Sequence, residues 1–534
     1  MKIWYNEIFT ILKTFCIRKT IFITENSFFS SSIQVFSMNR SAGIFLHPTS
    51  LPSSFGIGDL GGTAYEWIST LKKCDQSFWQ VCPLGPTGYG DSPYQCLSSF
   101  AGNTFLISPV KLMEDGLLTR PEIDSFPALS EEYVDYREVD KEKELLFRKA
   151  YERFNDSDDF SAFCDREKYW LDDYALYKVI KNSISQKAWN EWDIPLKLRY
   201  PAALSTVKQF EYKDIRFHKF LQFMFHCQWS QLKAFAHNQG IKIIGDVPVY
   251  VALDSADAWS SPDFFEFDEN CNPIRVSGVP PDYFSATGQL WGNPLYKWDF
   301  MKEEGYAWWI SRIKKTLGLV DVIRLDHFRG FESFWAVPAG RPDAVQGEWV
   351  PGPGIDFFNH IRSALGELPL IAEDLGNITP QVIGLRMATG IPGMKVLQFA
   401  FDGDPANWHL PYNVIPENVV YTGTHDNDTT SGWFSNLPDD EKQNVMEYLD
   451  CHEADVVEKL VRTAYATPAN LCIIPLQDIL ELDSSHRMNT PGKIDGNWKW
   501  RCTMYMLAQG QDKLDMVRTF TRTYGRLPVQ RKAV

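Results

Sequence analysis

Eight short apolar runs, each breaking off into polar or turn residues, recur between residues 43 and 477, and their spacing constrains the fold more than any other feature. They occupy 43–47, 78–84, 241–247, 320–326, 368–373, 394–401, 419–424 and 471–477. Several are near-continuous in Val, Ile and Leu, the pattern of parallel strands buried on both faces. Helical patterns lie between many of them, as at 307–316 and 354–365. Strands alternating with helices in this number point to an α/β chain closed into a (β/α)8 TIM barrel more than to an open sheet.

Two connections are too long for plain βα loops. Residues 85–240 carry amphipathic segments near 142–154, 160–181 and 217–237, and 252–305 is rich in Pro, Gly, Asp and aromatics. Both follow strand C-terminal ends, so both insertions are expected to stand over the face where barrel enzymes build active sites. The expected organisation is one catalytic domain over 38–534 with insertions at about 85–240 and 252–305. Residues 1–37 are set apart as an N-terminal extension. Its apolar stretch 8–23 is interrupted by Lys13, Arg18 and Lys19 and falls short of the roughly 18 apolar residues of a membrane span. It reads either as a targeting peptide or as a start-site artefact ahead of Met38.

Composition narrows the partners. A net charge of −15 without a long run of Lys or Arg argues against nucleic acid, which needs clustered cations to neutralise phosphates. The ten Cys are scattered with no C-x-x-C pair, as in a reduced cytoplasmic protein. No cofactor and no membrane partner are expected. The chain is rich in aromatics, with 18 Trp, 22 Tyr and 36 Phe. Most must fill the core, but such a surplus also suits a sugar ligand, whose apolar ring faces stack on aromatic side chains. The run Gly56-Ile57-Gly58-Asp59-Leu60-Gly61 spells a dinucleotide fingerprint, yet nine residues with two prolines separate it from the preceding strand, so it is set aside.

Acids mark the strand ends. Asp246, Asp326, Glu373 and Asp426 each close an apolar run. One such acid is ordinarily a helix cap; four on four strands converge on one mouth when a barrel closes. Side chains alternate along a strand, so Arg324 and Asp326 share the inner face while Ile323 and Leu325 face the helices. A guanidinium beside a carboxylate favours its ionised form, as a nucleophile requires. A structural ion pair is the alternative. Retaining glycoside chemistry sets such a carboxylate about 5–5.5 Å from a protonated partner. Glu373 lies on the next strand, and its apolar lead-in 368–372 favours the protonated form by desolvation. Asp374 points the other way and is expected to cap or pair.

At these residues the chain resembles the amylomaltase and disproportionating-enzyme family, glycoside hydrolase family 77. The resemblance runs from about 38 to 501 and rests on several blocks together: Gly43-Ile44-Phe45-Leu46-His47-Pro48, Asp91-Ser92-Pro93-Tyr94-Gln95, Gly245-Asp246-Val247-Pro248-Val249-Tyr250, Gly288-Gln289-Leu290-Trp291-Gly292-Asn293-Pro294, Arg324-Leu325-Asp326-His327-Phe328-Arg329, Ala372-Glu373-Asp374-Leu375-Gly376 and Gly423-Thr424-His425-Asp426-Asn427. It implies a 4-α-glucanotransferase acting on α-1,4-glucans (maltodextrins, glycogen or starch chains), with glucose among the acceptors. Asp326 would be the nucleophile, Glu373 the acid/base, and Asp426 a catalytic carboxylate that binds and distorts the sugar. Arg324 and His425 would support that sugar beside Asp246, with Ser92 and Tyr94 lining the cleft. The segment 282–293 would form an active-site loop bearing Asp282, Trp291 and Asn293. Where α-amylases usually carry Asn and His after Asp-Val, this chain has Pro248-Val249-Tyr250; that weakens a plain α-amylase and removes ligands for structural calcium, so no metal is expected. An α-1,4-glucan hydrolase and a non-catalytic glucan-binding protein are the alternatives.

Overall fold

The computed structural model describes residues 39–281 and 285–528; the reading of residues 1–37 as an extension falls outside them. Eight parallel strands close into a barrel: β1 (Ser41–Phe45), β2 (Phe78–Gln80), β3 (Lys242–Val247), β4 (Val322–Leu325), β5 (Leu370–Ala372), β6 (Gly393–Val396), β7 (Asn418–Tyr421) and β8 (Leu471–Pro475). Every apolar run of the sequence supplies one of them. Each pairs with its neighbour in chain order, and β8 returns to β1 with Ser41 opposite Leu471 and Phe45 opposite Pro475. Closure explains the apolar content, because the strands are covered by side chains inside and by helices outside. Glycine is needed where β1 meets β2: a Cβ on Gly43 would lie 2.6 Å from the Phe78 backbone oxygen.

The segment after β2 is largely helical, with Tyr136–Arg153, Asp158–Ser183 and Tyr212–Asn238 as its main helices. Amide side chains of the last helix clamp it to the chain leaving β2. Gln222 accepts from the Gly102 N–H at 2.7 Å and donates to the Gly102 carbonyl at 2.9 Å; Gln228 does the same at Ser108, at 2.7 and 3.3 Å. These bonds satisfy buried backbone groups of the chain leaving β2, where the Ser108 carbonyl also takes the Leu112 N–H at 3.2 Å. Between them the helices bury large side chains, Trp229 and Phe220 among them, each contributing about 1.5–3 kcal/mol on removal from water.

A second sheet stands beside the barrel strands, in segments outside the eight apolar runs of the sequence. Four antiparallel strands, in the order Gln289–Pro294, Arg275–Val279, Ser333–Pro338 and Glu348–Pro351, join the segment after β3 to the segment after β4. Its rings interlock, with Trp335 edge-on to Trp349 at 5.3 Å. The glycine-rich run at 56–61 is a packing turn: the Gly58 N–H donates to the Thr49 carbonyl at 2.8 Å, and a Cβ there would lie 2.0 Å from the Pro48 oxygen. Among the described residues no helix is long and apolar enough to cross a membrane.

Candidate active site

The barrel register brings the strand-end acids together. Asp246 on β3 stands opposite Arg324 on β4, and Arg324 is almost wholly enclosed, its side chain 4% exposed. Its Nη1 donates to Asp246 Oδ2 at 2.6 Å and to Asp326 Oδ1 at 2.9 Å, so one cation serves two carboxylates. Asp326 follows β4 directly and is fixed at the backbone, its N–H on the Val247 carbonyl at 3.0 Å. Its side chain remains 27% exposed, paired with Arg324 yet open to the cleft. The alternation expected of β4 holds: Ile323 and Leu325 are buried, while Arg324 and Asp326 meet on the inner face.

Asp246 is the more deeply buried acid. Burial pushes its carboxyl up to about 6 against the opposing pull of Arg324. Tyr94 donates its hydroxyl to Asp246 Oδ2 at 2.9 Å and stacks on the His425 ring at 4.7 Å. Ser92 holds Tyr94 from behind, its Oγ accepting from the Tyr94 N–H at 3.1 Å.

Glu373 follows β5 and is half-buried in the wall beside Asp326. Both carboxyl oxygens accept main-chain N–H groups, Oε2 from His327 at 2.7 Å and Oε1 from Leu375 at 3.0 Å. Those bonds and Arg324 favour the carboxylate, but desolvation outweighs them and, with Asp326 nearby, pushes the group up to about 8. The two acids therefore differ in surroundings: Asp326 is paired with a buried cation, while desolvation favours the neutral form of Glu373. Asp374 turns away, accepting the Met394 N–H at 2.7 Å and pairing with Arg386 at 3.0 Å.

Asp426 opens onto the cleft with 47% of its side chain exposed. Partial desolvation raises its carboxyl, but His425 at 3.3 Å and the Asn489 amide at 2.6 Å bring it down to about 2. His425 is itself pushed up, since Asp426 and Asp246 outweigh the cost of its burial. Trp291, on the antiparallel sheet, sets its ring edge-on to His327 at 4.8 Å, which carries the loop across to the Asp326–Glu373 pair. Asn293 lies elsewhere. It is buried, and its amide is spent on the Val251 carbonyl at 2.8 Å, on Gln95 at 3.3 Å in both directions, and on the Ser277 hydroxyl at 3.3 Å. With every donor and acceptor site occupied, it anchors the loop carrying Trp291 to the chain carrying Tyr94. Asp282 falls outside the described residues.

Several groups gain importance only in three dimensions. His327 adopts a left-handed backbone, φ 49°, and thereby aims its N–H at Glu373. Asn489 reaches Asp426 from the far end of the chain. Trp498 lies 5.6 Å from both the Tyr94 and His425 rings. His47, buried at the end of β1, is kept neutral, with burial and the nearby His425 lowering it to about 3. Of these, His327 and His47 stand in the motif blocks read above, while Asn489 shows no local pattern that marks it.

Comparison with known proteins gives the family. A family model described as 4-alpha-glucanotransferase matches residues 46–506. A 4-alpha-glucanotransferase of Synechocystis sp. is 48% identical over 498 residues, covering 91% of this chain and 98% of that protein. Its counterpart from Thermus thermophilus is 46% identical, covering 86% and 94%. Among solved structures, an amylomaltase from Streptococcus agalactiae in complex with acarbose superposes with a TM-score of 0.88 at 37% identity, over 91% of this chain and 99% of the other. The chain therefore belongs to the 4-alpha-glucanotransferase family.

Proposed function

We propose that the chain is a retaining 4-α-glucanotransferase that moves α-1,4-glucan segments between maltodextrin, glycogen or starch chains, with glucose among its acceptors. One observation carries the reading: a carboxylate clamped by a buried cation faces a carboxyl that its surroundings keep protonated. In the first step Asp326 attacks the anomeric carbon and the glycosidic C–O bond breaks. The Glu373 proton passes to the departing 4-oxygen. In the second step an acceptor 4-hydroxyl attacks that carbon, Glu373 takes its proton, and the bond to Asp326 breaks. Asp426, low in pKa and open to the cleft, accepts hydroxyl hydrogen bonds from the sugar ring; Arg324, Asp246, Tyr94 and His425 form the wall behind it. Trp291 covers the pair and limits water, which favours a sugar acceptor over hydrolysis. Nine described cysteines are all unpaired, which supports a reducing compartment such as the cytoplasm.

Incubation with maltotriose tests the reading. A ladder of longer maltodextrins with little rise in reducing ends is expected; glucose and maltose with steadily rising reducing ends would overturn transfer in favour of hydrolysis. The pH profile tests the proton donor. Glu373 must enter the first step protonated, so kcat/KM should fall above about pH 8, by a factor of about ten per unit once deprotonation dominates. Activity that stays level well beyond that point would remove Glu373 from the acid role.

A further inference from the structure

A second cavity, of about 250 Å³, lies outside the carboxylate site. Helix Asp158–Ser183 supplies Tyr169 to one wall and helix Ala307–Leu319 supplies Trp308 to the other. Phe100 stands between them, with Tyr169 edge-on at 5.7 Å and 89° and Trp308 edge-on at 5.9 Å and 86°. The three rings make an angled aromatic wall that remains open to solvent, Tyr169 being 56% exposed. Among the described residues the Trp308 indole N–H is given to no protein acceptor.

The floor is polar. Asp257, 4% exposed, lines the cavity with Ser260 and Ser261. One Asp257 oxygen accepts the Ser99 N–H at 2.7 Å. No Lys or Arg lines the space. Of the nearby cations, Lys315 is held by Glu167 at 2.7 Å and Arg199 by Asp173 at 2.6 Å, while Arg312 lies over the Trp308 ring at 5.4 Å and donates to the Val249 carbonyl at 3.4 Å. With Arg312 turned to the Trp308 ring and the Val249 carbonyl, the lining itself offers phosphates and carboxylates no cation. Ring faces beside hydroxyl and carboxylate acceptors suit a neutral polyhydroxylated ring instead. The volume falls below the roughly 300–1,000 Å³ of most small-molecule sites, which leaves room for a single sugar residue.

The cavity is also wired to the carboxylate site through the backbone. The chain running from Tyr94 to Phe100 joins the two, and the Ala256 N–H donates to the Leu97 carbonyl at 2.8 Å along the way. We infer that this cavity is a secondary glucan site, holding one glucosyl unit of a long α-glucan whose other segment occupies the catalytic cleft. The inference rests on the glucanotransferase reading above. Its effect is to raise the local concentration of polymeric donors, so short substrates gain nothing from it.

Calorimetric titration of the full-length Glu373→Gln chain with maltoheptaose tests both levels. Two binding events per chain are expected, the weaker lost or weakened by about two- to tenfold on Tyr169→Ala while the stronger is unchanged. Trp308→Phe, which keeps an aromatic ring but removes the indole N–H, should weaken the same event. In the otherwise native enzyme Tyr169→Ala should leave maltotriose disproportionation unaltered and raise KM for amylose by a similar factor. A single event, or a second event indifferent to both substitutions, overturns the secondary site and leaves the function standing. Absence of any maltoheptaose binding overturns both.

Discussion

Glu373→Gln is expected to lower transfer from maltotriose by about 10²–10⁴-fold while glucan binding persists, the range by which a positioned general acid accelerates bond cleavage. The glutamine cannot supply a proton to the departing 4-oxygen, and both steps of the proposed double displacement use that group. The cost to folding is modest. The carboxyl accepts two main-chain N–H groups, from His327 and Leu375; an amide oxygen replaces one acceptor and an NH2 faces the other donor, a penalty of about 1–3 kcal/mol. Binding of maltodextrin by the variant separates chemistry from collapse. Near-normal turnover would reassign the acid/base.

Arg324→Met should be the most destabilising single change at the site, by about 3–5 kcal/mol. Methionine fills the volume but leaves Asp246 buried without its cation and within the field of Asp326. The effect depends on pH with a definite sign. The native fold already holds Asp246 above its ordinary value, near 6, and loss of Arg324 raises it further. A carboxyl whose folded pKa exceeds its unfolded one contributes its full stability below the unfolded pKa and loses it as pH rises through the folded one. Denaturant unfolding should therefore show a small deficit near pH 4 that grows as pH rises through neutral. Adding Asp246→Asn should recover part of it, because the unpaired charge is then gone. A variant as stable as the native chain at pH 7 would mean that Arg324 is not the cation on which these acids depend.

How much of this was legible depends on the range of the interactions. All eight barrel strands could be read because parallel strands buried on both faces are written as continuous apolar runs. Their ends were less clear. The run at 394–401 looks like one strand, but Leu397–Phe399 turns into a 3-10 helix after Val396, a change that hydrophobicity does not register. The antiparallel sheet escaped in part because Gln289–Pro294 reads as a loop and Glu348–Pro351 is short, packing its Trp349 on Trp335 across the sheet; Ser333–Pro338 is as apolar as a barrel strand and still lies outside the eight runs. Arg324 and Asp326 could be paired from alternation alone. The clamp on Asp426 by Asn489, and the amide exchange that buries Asn293 against Gln95, join residues far apart in the chain and leave no mark on local sequence.

The pairing of Ser41 with Leu471 has a consequence for how the molecule comes into being. At about 5–20 residues per second of synthesis, β1 emerges from the ribosome tens of seconds before its last neighbour exists. Throughout that interval one flank of an apolar strand has nothing to bond to, and the mouth where Asp246, Asp326, Glu373 and Asp426 converge is incomplete. Catalytic competence is thus a late property of the nascent chain, acquired all at once on closure, and the waiting strand edge is where aggregation would compete with folding.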